Sequence, residues 1–449
     1  MIENLEKISV KDLLCATGGE LIFGDENMFL ESISTSSGEI LKNTLFIPIK
    51  GERFDAHDFL GDAVKNGATG YLTEKDIEIK NARFAVKVLN TKKALMDIAH
   101  FNIKRNSADV VALTGSVGKT TTKEFVANVL GEQFNTIKTQ KNYNNEIGMP
   151  FTAFGINSKT EKAVIEMGMS NFGEIEKYSL CANPDTAIIT NIGVSHIEYL
   201  KSREGILKAK SEIFDGMADD GVVFLNGDDD LLRTLKGKLK QKTYFFGFEN
   251  PDCDFLAKDI KADDNGITFK INGEDFYINV LGIHNVYNAL AAYAVGKKYG
   301  ISSKKIREGL KKFESDGIRQ SIFEKNGIKF INDCYNASPQ SVKSSIDVLC
   351  LFGGRKIAVL GDMAELGKNS NAYHAETGKY AEKKGIDLLI TVGKISEKTH
   401  NAANINKVHF DTNDEVSDYL KKNAKSGDVI LIKGSRCMKM EEILKKYES

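Results

Sequence analysis

The chain has no surplus of either charge. Its 449 residues include 61 Lys and Arg against 62 Asp and Glu, a net charge of -1, and no long basic block occurs. That excludes a polyelectrolyte and argues against a nucleic-acid partner, because phosphate backbones are held mainly by clustered Lys and Arg. Cysteine is scarce as well. The six residues (Cys15, Cys181, Cys253, Cys334, Cys350 and Cys437) are scattered without a CxxC pair, which suits reduced thiols better than disulfides or a zinc site. No segment approaches the ~20 apolar residues of a membrane span. The opening MIENLEKISVKDLLCA is too interrupted by charge for a signal peptide, so a cytoplasmic protein is expected. What is present is globular material, 41% hydrophobic and 27% charged. The length exceeds what one core supports, and two to four domains of ~100–200 residues are expected.

Three textures follow one another. Up to about Asn106, short apolar strands (LFIPI at 45–49, GYL at 70–72, FAVKVL at 84–89) alternate with polar turns, and KKALMDIAHFNIKR has helical spacing. From Val110 the pattern becomes that of buried parallel strands: VVAL (110–113), AVIEM (163–167), AIIT (187–190) and VVFL (222–225). A β-rich insert is expected from Thr243 to Val280, then a helix in NVYNALAAYAVGKKYG (285–300). From about Gly317 the α/β rhythm returns with KIAVLGDM, DLLITVG and DVILIKG. The expectation is an α/β protein of three domains. They are a small N-terminal α/β domain (1–106), a central doubly wound, mostly parallel sheet carrying a phosphate loop (107–316), and a C-terminal Rossmann-like sheet (317–449).

TGSVGKTT (Thr114–Thr121) follows the strand VVAL and opens an expected helix. Glycines allow the backbone N–H groups to curl toward phosphates, and the helix N-terminus adds partial positive charge. Thr114, Gly115, Ser116, Gly118, Lys119, Thr120 and Thr121 are therefore the expected ATP contacts. Lys119 would reach the β- and γ-phosphates, and the Thr120 hydroxyl would ligate magnesium. Leu113 stands where the strict phosphate-loop motif has its first glycine. In an open parallel sheet the ligand lies beyond the carboxyl ends of the strands. Glu166 ends one strand there and His196 follows another, so both are candidate magnesium neighbours.

Eight segments in order resemble the Mur ligase family: TGSVGKTT, NYNNEIGMP (142–150), EMGMSNFGEI (166–175), NIGVSHIEYLKSREGILKAKSEI (191–213), GIHNVYNALAA (282–292), DCYNASPQS (333–341), GDMAELG (361–367) and KGSR (433–436). More narrowly, EMGMSNFGEI, DCYNASP, GDMAELG and KGSR resemble the MurF branch, which joins D-alanyl-D-alanine to UDP-N-acetylmuramoyl-tripeptide. The resemblance implies a ligase of peptidoglycan synthesis. In it ATP phosphorylates a carboxylate, and an amine then displaces phosphate from the acyl-phosphate.

By the same resemblance, Lys119, Glu166, His196, Lys210 and Arg319 are the catalytic set. Thr120, Glu166, His196 and Lys210 are implied as magnesium ligands, Lys210 as a carbamate. Asn285, Asn288, Arg319, Asp333 and Asn336 are implied nucleotide contacts. Ser36, Ser37 and Lys50 are implied for the UDP end, and Asn142 and Asn145 for substrate binding. Lys433, Ser435 and Arg436 follow the strand DVILI, where cations suit the carboxylate of an incoming dipeptide. Ser37-Gly38-Glu39 stands where many relatives have an arginine. A monomer is expected, since one chain supplies the whole site. Two readings compete: another ligase of the same superfamily, or a phosphate-loop switch protein without catalysis. The first fits GDMAELG and KGSR poorly. The second requires no nucleotide contacts from a third domain.

Overall fold

The computed structural model describes all residues except 1–4, 52, 315, 316, 318 and 449. Asp316, at the expected boundary of the central domain, and Ile318 of the DGIRQS segment lie outside the described residues.

Three large sheets follow the three textures. The first has five strands, in spatial order Glu20–Phe23, Phe84–Lys87, Gly70–Thr73, Thr44–Phe46 and Ser32–Ser34. A helix, Thr91–Asn106, leaves it with Asn90 accepting at its start from Lys93 N and ends at Ser107 in the left-handed region. Its buried Leu95, Ile98 and Ala99 join a hydrophobic cluster that runs on into Ala163, Ile165 and Ala187 of the next sheet. Asn102, fully buried, donates to Ala153 O and Ile156 O at 2.9 Å each. The helix is thus stapled to the second sheet by apolar burial and by satisfied polar groups.

The second sheet has nine strands, with Thr136–Lys138 and Glu274–Ile278 at its two edges. At its centre lie β1 (Asp109–Thr114), flanked by β2 (Lys162–Glu166) and β3 (Thr186–Ile189), all parallel. These strands are buried on both faces, as their continuous apolar runs require. The β-rich segment from Thr243 to Val280 is not a separate insert. Lys242–Gly247 and Phe255–Ala262 extend the parallel sheet, and two antiparallel strands close its edge. Sequence alternation on those edge strands reflects one-sided burial, which locally looks like an independent unit. Helix α1 (Lys119–Gly131) follows β1. Helix α2 (Arg203–Ser211), capped by Ser202, and helix α3 (Asn285–Lys298) supply further groups to the carboxyl ends.

The third sheet has six strands. Three of its inner parallel strands are β4 (Ile328–Asn332), β6 (Val429–Lys433) and β5 (Lys356–Gly361), adjacent in that order. Their side chains are buried throughout, apart from Lys329 and Lys356 near the starts of β4 and β5. In the second and third sheets the carboxyl ends of the parallel strands border one cavity.

Candidate active site between two parallel sheets

The phosphate loop is shaped by what stands behind it. Gly118 has φ +83 and begins α1 without a side-chain cap, which leaves the first N–H groups of that helix for a ligand. A Cβ on Gly118 would stand 2.7 Å from Asn288 Oδ1, and one on Gly115 would stand 1.8 Å from Thr190 Oγ1. Thr114 ends β1 where the loop begins, and its carbonyl accepts from Thr190 N at 3.0 Å. Asn191 secures the loop from β3: its Oδ1 accepts from Val117 N, its Nδ2 donates to Val117 O, and its carbonyl accepts from Ser116 N. The Lys119 ammonium folds back to donate to Gly115 O at 2.9 Å. Burial lowers its pKa, Glu166 works the other way, and Arg319 lowers it further.

Glu166 is 1% exposed at the end of β2. Its carboxylate accepts from Thr120 Oγ1 at 3.0 Å and from Asn144 Nδ2 at 2.8 Å. The nearest ammonium, Lys123 Nζ, is 3.9 Å away and itself 3.2 Å from Glu124. A buried carboxylate so weakly neutralised, beside a hydroxyl, fits a hard divalent cation. Lys210 lies in the last turn of α2, where its spacing from Ile206 puts it on the buried face. It is 2% exposed and forms no ion pair among the described residues. Burial first, and then the nearby Lys119, push its pKa well below the ordinary 10.5. Lys201 and Lys208 on the same stretch are exposed, as solvated lysines are. His196 follows β3 with a left-handed φ of 62° and meets Glu365 of the third sheet at 2.6 Å.

The third sheet faces these groups. Arg319 stacks on Tyr335, its guanidinium carbon 3.6 Å from the ring centre. Asp333 follows β4 and holds Lys433, at the end of β6, at 2.5 Å; Ser345 Oγ donates to the same carboxylate at 2.6 Å. Burial alone would raise the Asp333 carboxyl, but the Lys433 ammonium and these hydrogen bonds hold it below its usual value. His284, half-buried beside this pair, is pushed down to about 4 by desolvation, against the pull of Asp333.

A cavity of about 970 Å³ brings together Lys119, Thr120, Glu166, His196, Arg319 and Asp333. Ser116, Gly118, Thr121, Asn145, Asn285, Asn288, Asn336 and Lys433 also border it. Some of these side chains are engaged elsewhere. Asn288 accepts from Thr122 Oγ1 and donates to Asn285, whose Nδ2 donates to Leu281 O, so the pair ties α3 to α1. Asn145 accepts from Ile147 N and Gly148 N at the start of a helix. Ser435, 2% exposed, accepts from Ala364 N and pins the loop after β5. Lys433 is 3% exposed and already paired, so it is no open anchor for a dipeptide carboxylate. Arg436 is exposed, 2.7 Å from Glu441.

Asn142 is an exposed turn residue that does not border the cavity; exposed Ser36, half-buried Ser37 and exposed Lys50, in the loops beside the first sheet, do not border it either. Asn144, Tyr335 and Glu365 do structural work at the site that spacing alone did not single out. NYNNEIGMP offered three asparagines, and only the fold shows which one turns to Glu166.

Two family models match the chain: the Mur ligase middle domain over residues 113–296, and the Mur ligase glutamate ligase domain over residues 319–436. A UDP-N-acetylmuramoyl-tripeptide–D-alanyl-D-alanine ligase from Bacillus subtilis (strain 168) is 40% identical, covering 94% of this chain and 93% of its own. The enzyme of that name from Escherichia coli (strain K12) is 33% identical, covering 98% of each chain. Among solved structures, MurF from Acinetobacter baumannii superposes with a TM-score of 0.93 at 29% identity, covering 99% of each chain. MurF from Thermotoga maritima, solved in complex with ADP, reaches 0.84 at 29% identity, covering 93% of this chain and 97% of that one. With these full-length matches and this constellation of groups, the chain belongs to the Mur ligase family, in the branch of the UDP-N-acetylmuramoyl-tripeptide–D-alanyl-D-alanine ligases.

Proposed function

We propose that the chain joins D-alanyl-D-alanine to UDP-N-acetylmuramoyl-tripeptide with ATP, releasing ADP and phosphate and giving the pentapeptide precursor of peptidoglycan. The observation that carries this reading is the cavity in which a phosphate loop and a buried Glu166 face Arg319 and Asp333 from another sheet; the buried Lys210 does not line that cavity but lies close enough to Lys119 to feel its charge. A switch protein needs no such second sheet. The relatives' names supply the substrates, and the ADP complex of the Thermotoga maritima structure supports ATP as the nucleotide.

The tripeptide carboxylate attacks the γ-phosphorus, ADP leaves, and the amine of the dipeptide then attacks the acyl carbon and expels phosphate. Lys119 and Arg319 stabilise charge on the transferring group, and the uncapped start of α1 binds phosphate oxygens. Docking of the third sheet excludes water that would hydrolyse the acyl-phosphate. Thr120 and Glu166, with His196 nearby, have the donor chemistry for magnesium, which when bound neutralises phosphate charge. A neutral Lys210 amine reacts with carbon dioxide by forming an N–C bond and losing a proton, and the resulting carbamate adds an anionic oxygen ligand. Asp333 suits the ribose, and Asn285, Asn288 and Asn336 border the nucleotide side. Arg436 and the turn around Ser435 suit the dipeptide. Residues 1–106, with Ser36, Ser37 and Lys50, take the UDP end; 107–316 take the nucleotide; 317–449 close over it. No described helix is long and apolar enough to cross a membrane; a cytoplasmic monomer is part of the proposal.

The test is phosphate release from ATP and magnesium with each substrate omitted in turn. Release that requires both, with a UDP-linked pentapeptide by mass, supports the proposal. Release indifferent to both overturns it.

A further inference from the structure

Glu365 belongs to the third sheet but reaches the second. It lies in the loop after β5; its Oε2 stands 2.6 Å from His196 Nδ1, and its carbonyl accepts from Glu198 N at 3.3 Å. Two residues on, Gly367 backs so closely onto the same stretch that a Cβ there would lie 3.3 Å from Glu198 Cα. His196 and Glu365 both hold left-handed backbone, with φ of 62° and 61°. Non-glycine residues in that region are uncommon and persist where their surroundings over-determine them. The His196 segment is also tied to the phosphate loop, because Gly193 N donates to Ser116 Oγ at 2.9 Å. The His196 segment is therefore tied to the phosphate loop by its backbone while its imidazole meets a carboxylate from the third sheet's domain. The imidazole Nδ1 is buried and has no aligned hydrogen-bond partner among the described residues; the Glu365 carboxylate at 2.6 Å is the ion-pair contact it makes.

We propose that Glu365 is a positioning residue for His196, and that it couples docking of the third sheet to the metal-binding competence of the second. A carboxylate at Nδ1 keeps the proton there and leaves Nε2 as the lone-pair nitrogen, which is how outer partners set ligand histidines. Because the two residues come from different sheets, the imidazole is fixed in this way only in the docked arrangement. The inference rests on the reading of His196 as a magnesium neighbour.

The experiment titrates magnesium into ADP binding by calorimetry, and separately into phosphate release, for the parent, His196→Ala, Glu365→Ala and Glu365→Asp. Glu365→Ala should raise the magnesium concentration for half-saturation by about 10-fold in both assays, the lower end of what loss of an outer partner does. The KM for D-alanyl-D-alanine at saturating magnesium should stay unchanged. Glu365→Asp, with its carboxylate drawn back by one methylene, should shift magnesium demand less and in the same direction. Should the alanine variant fail to fold, the aspartate variant decides. A shifted His196→Ala with unshifted Glu365 variants overturns the positioning role alone. An unshifted His196→Ala overturns the reading of His196, and the inference with it.

Discussion

The Lys433 ammonium sits 2.5 Å from the Asp333 carboxylate, at the carboxyl ends of two neighbouring parallel strands. Lys433 also donates to Asn336 O at 3.0 Å, so one cation fixes the whole turn that follows β4. With both groups mostly buried, the pair is a positioning element of the nucleotide side of the cavity. It is not a free charge waiting for substrate.

Asp333→Asn should therefore cost stability as well as turnover. Removing one partner of a buried pair leaves the other uncompensated, at about 3–5 kcal/mol. The folded Asp333 carboxyl is held below its ordinary 3.8, so its contribution is present above that pH and is lost as the pH falls through the folded value. Thermal midpoints of parent and variant should differ most near neutrality, begin to converge below about pH 3.8 and meet only below the lowered folded value.

Lys210→Met should separate stability from activity. The folded lysine is neutral where the unfolded lysine is protonated, so the unfolded state binds more protons and parent stability rises with pH up to the ordinary 10.5. In carbon-dioxide-free buffer the methionine variant should melt above the parent at pH 7, with the gap closing toward alkaline pH. Its ligase activity should be abolished. Added bicarbonate should raise the parent's activity and leave the variant's unchanged.

Asn144→Ala removes the amide that donates to Glu166 Oε1 at 2.8 Å. A drop of about 10–100-fold in turnover or magnesium affinity is expected, the usual range for a partner of a metal ligand. Asn144→Asp should be worse than alanine, because a second carboxylate would face the first. Steady-state kinetics across a magnesium series would rank the two.

Gly118→Ala places a methyl group 2.7 Å from Asn288 Oδ1 on backbone with φ +83. About 1–3 kcal/mol of destabilisation is expected from the overpacking, together with weaker ADP binding. Shortening the neighbour should relieve part of it. A thermal-melt cycle with Asn288→Ala should show coupling of about 1 kcal/mol between the two sites, and additive effects would exclude the contact as the cause.

The amino-acid sequence by itself determined the order of strands and helices and the place of the phosphate loop. Apolar runs such as VVAL and AVIEM are buried on both faces, and that burial needs no knowledge of neighbours. Gly-Lys-Thr-Thr after such a run is local chemistry, legible because backbone geometry and side-chain function sit within eight residues. Sequence order likewise put Glu166 and His196 at carboxyl ends.

Tertiary structure decided which of the remaining groups are spent and which are available. The β-rich stretch from Thr243 to Val280 read as an insert because alternation reports which faces are buried and says nothing of which strand lies alongside. Asn285 and Asn288 carry the residue types of a ligand site, yet their amides link α3 to α1 and to Leu281. Lys433 looked like a free cation until Asp333, a hundred residues away, came within 2.5 Å. Glu365 meets His196 only because the loop after β5 of the third sheet packs against the segment that follows β3 of the second. Hydrogen-bond and charge partnerships act over a few ångströms in space, whereas sequence patterning encodes burial along a single element. The partners of a polar group must therefore be read from the folded chain.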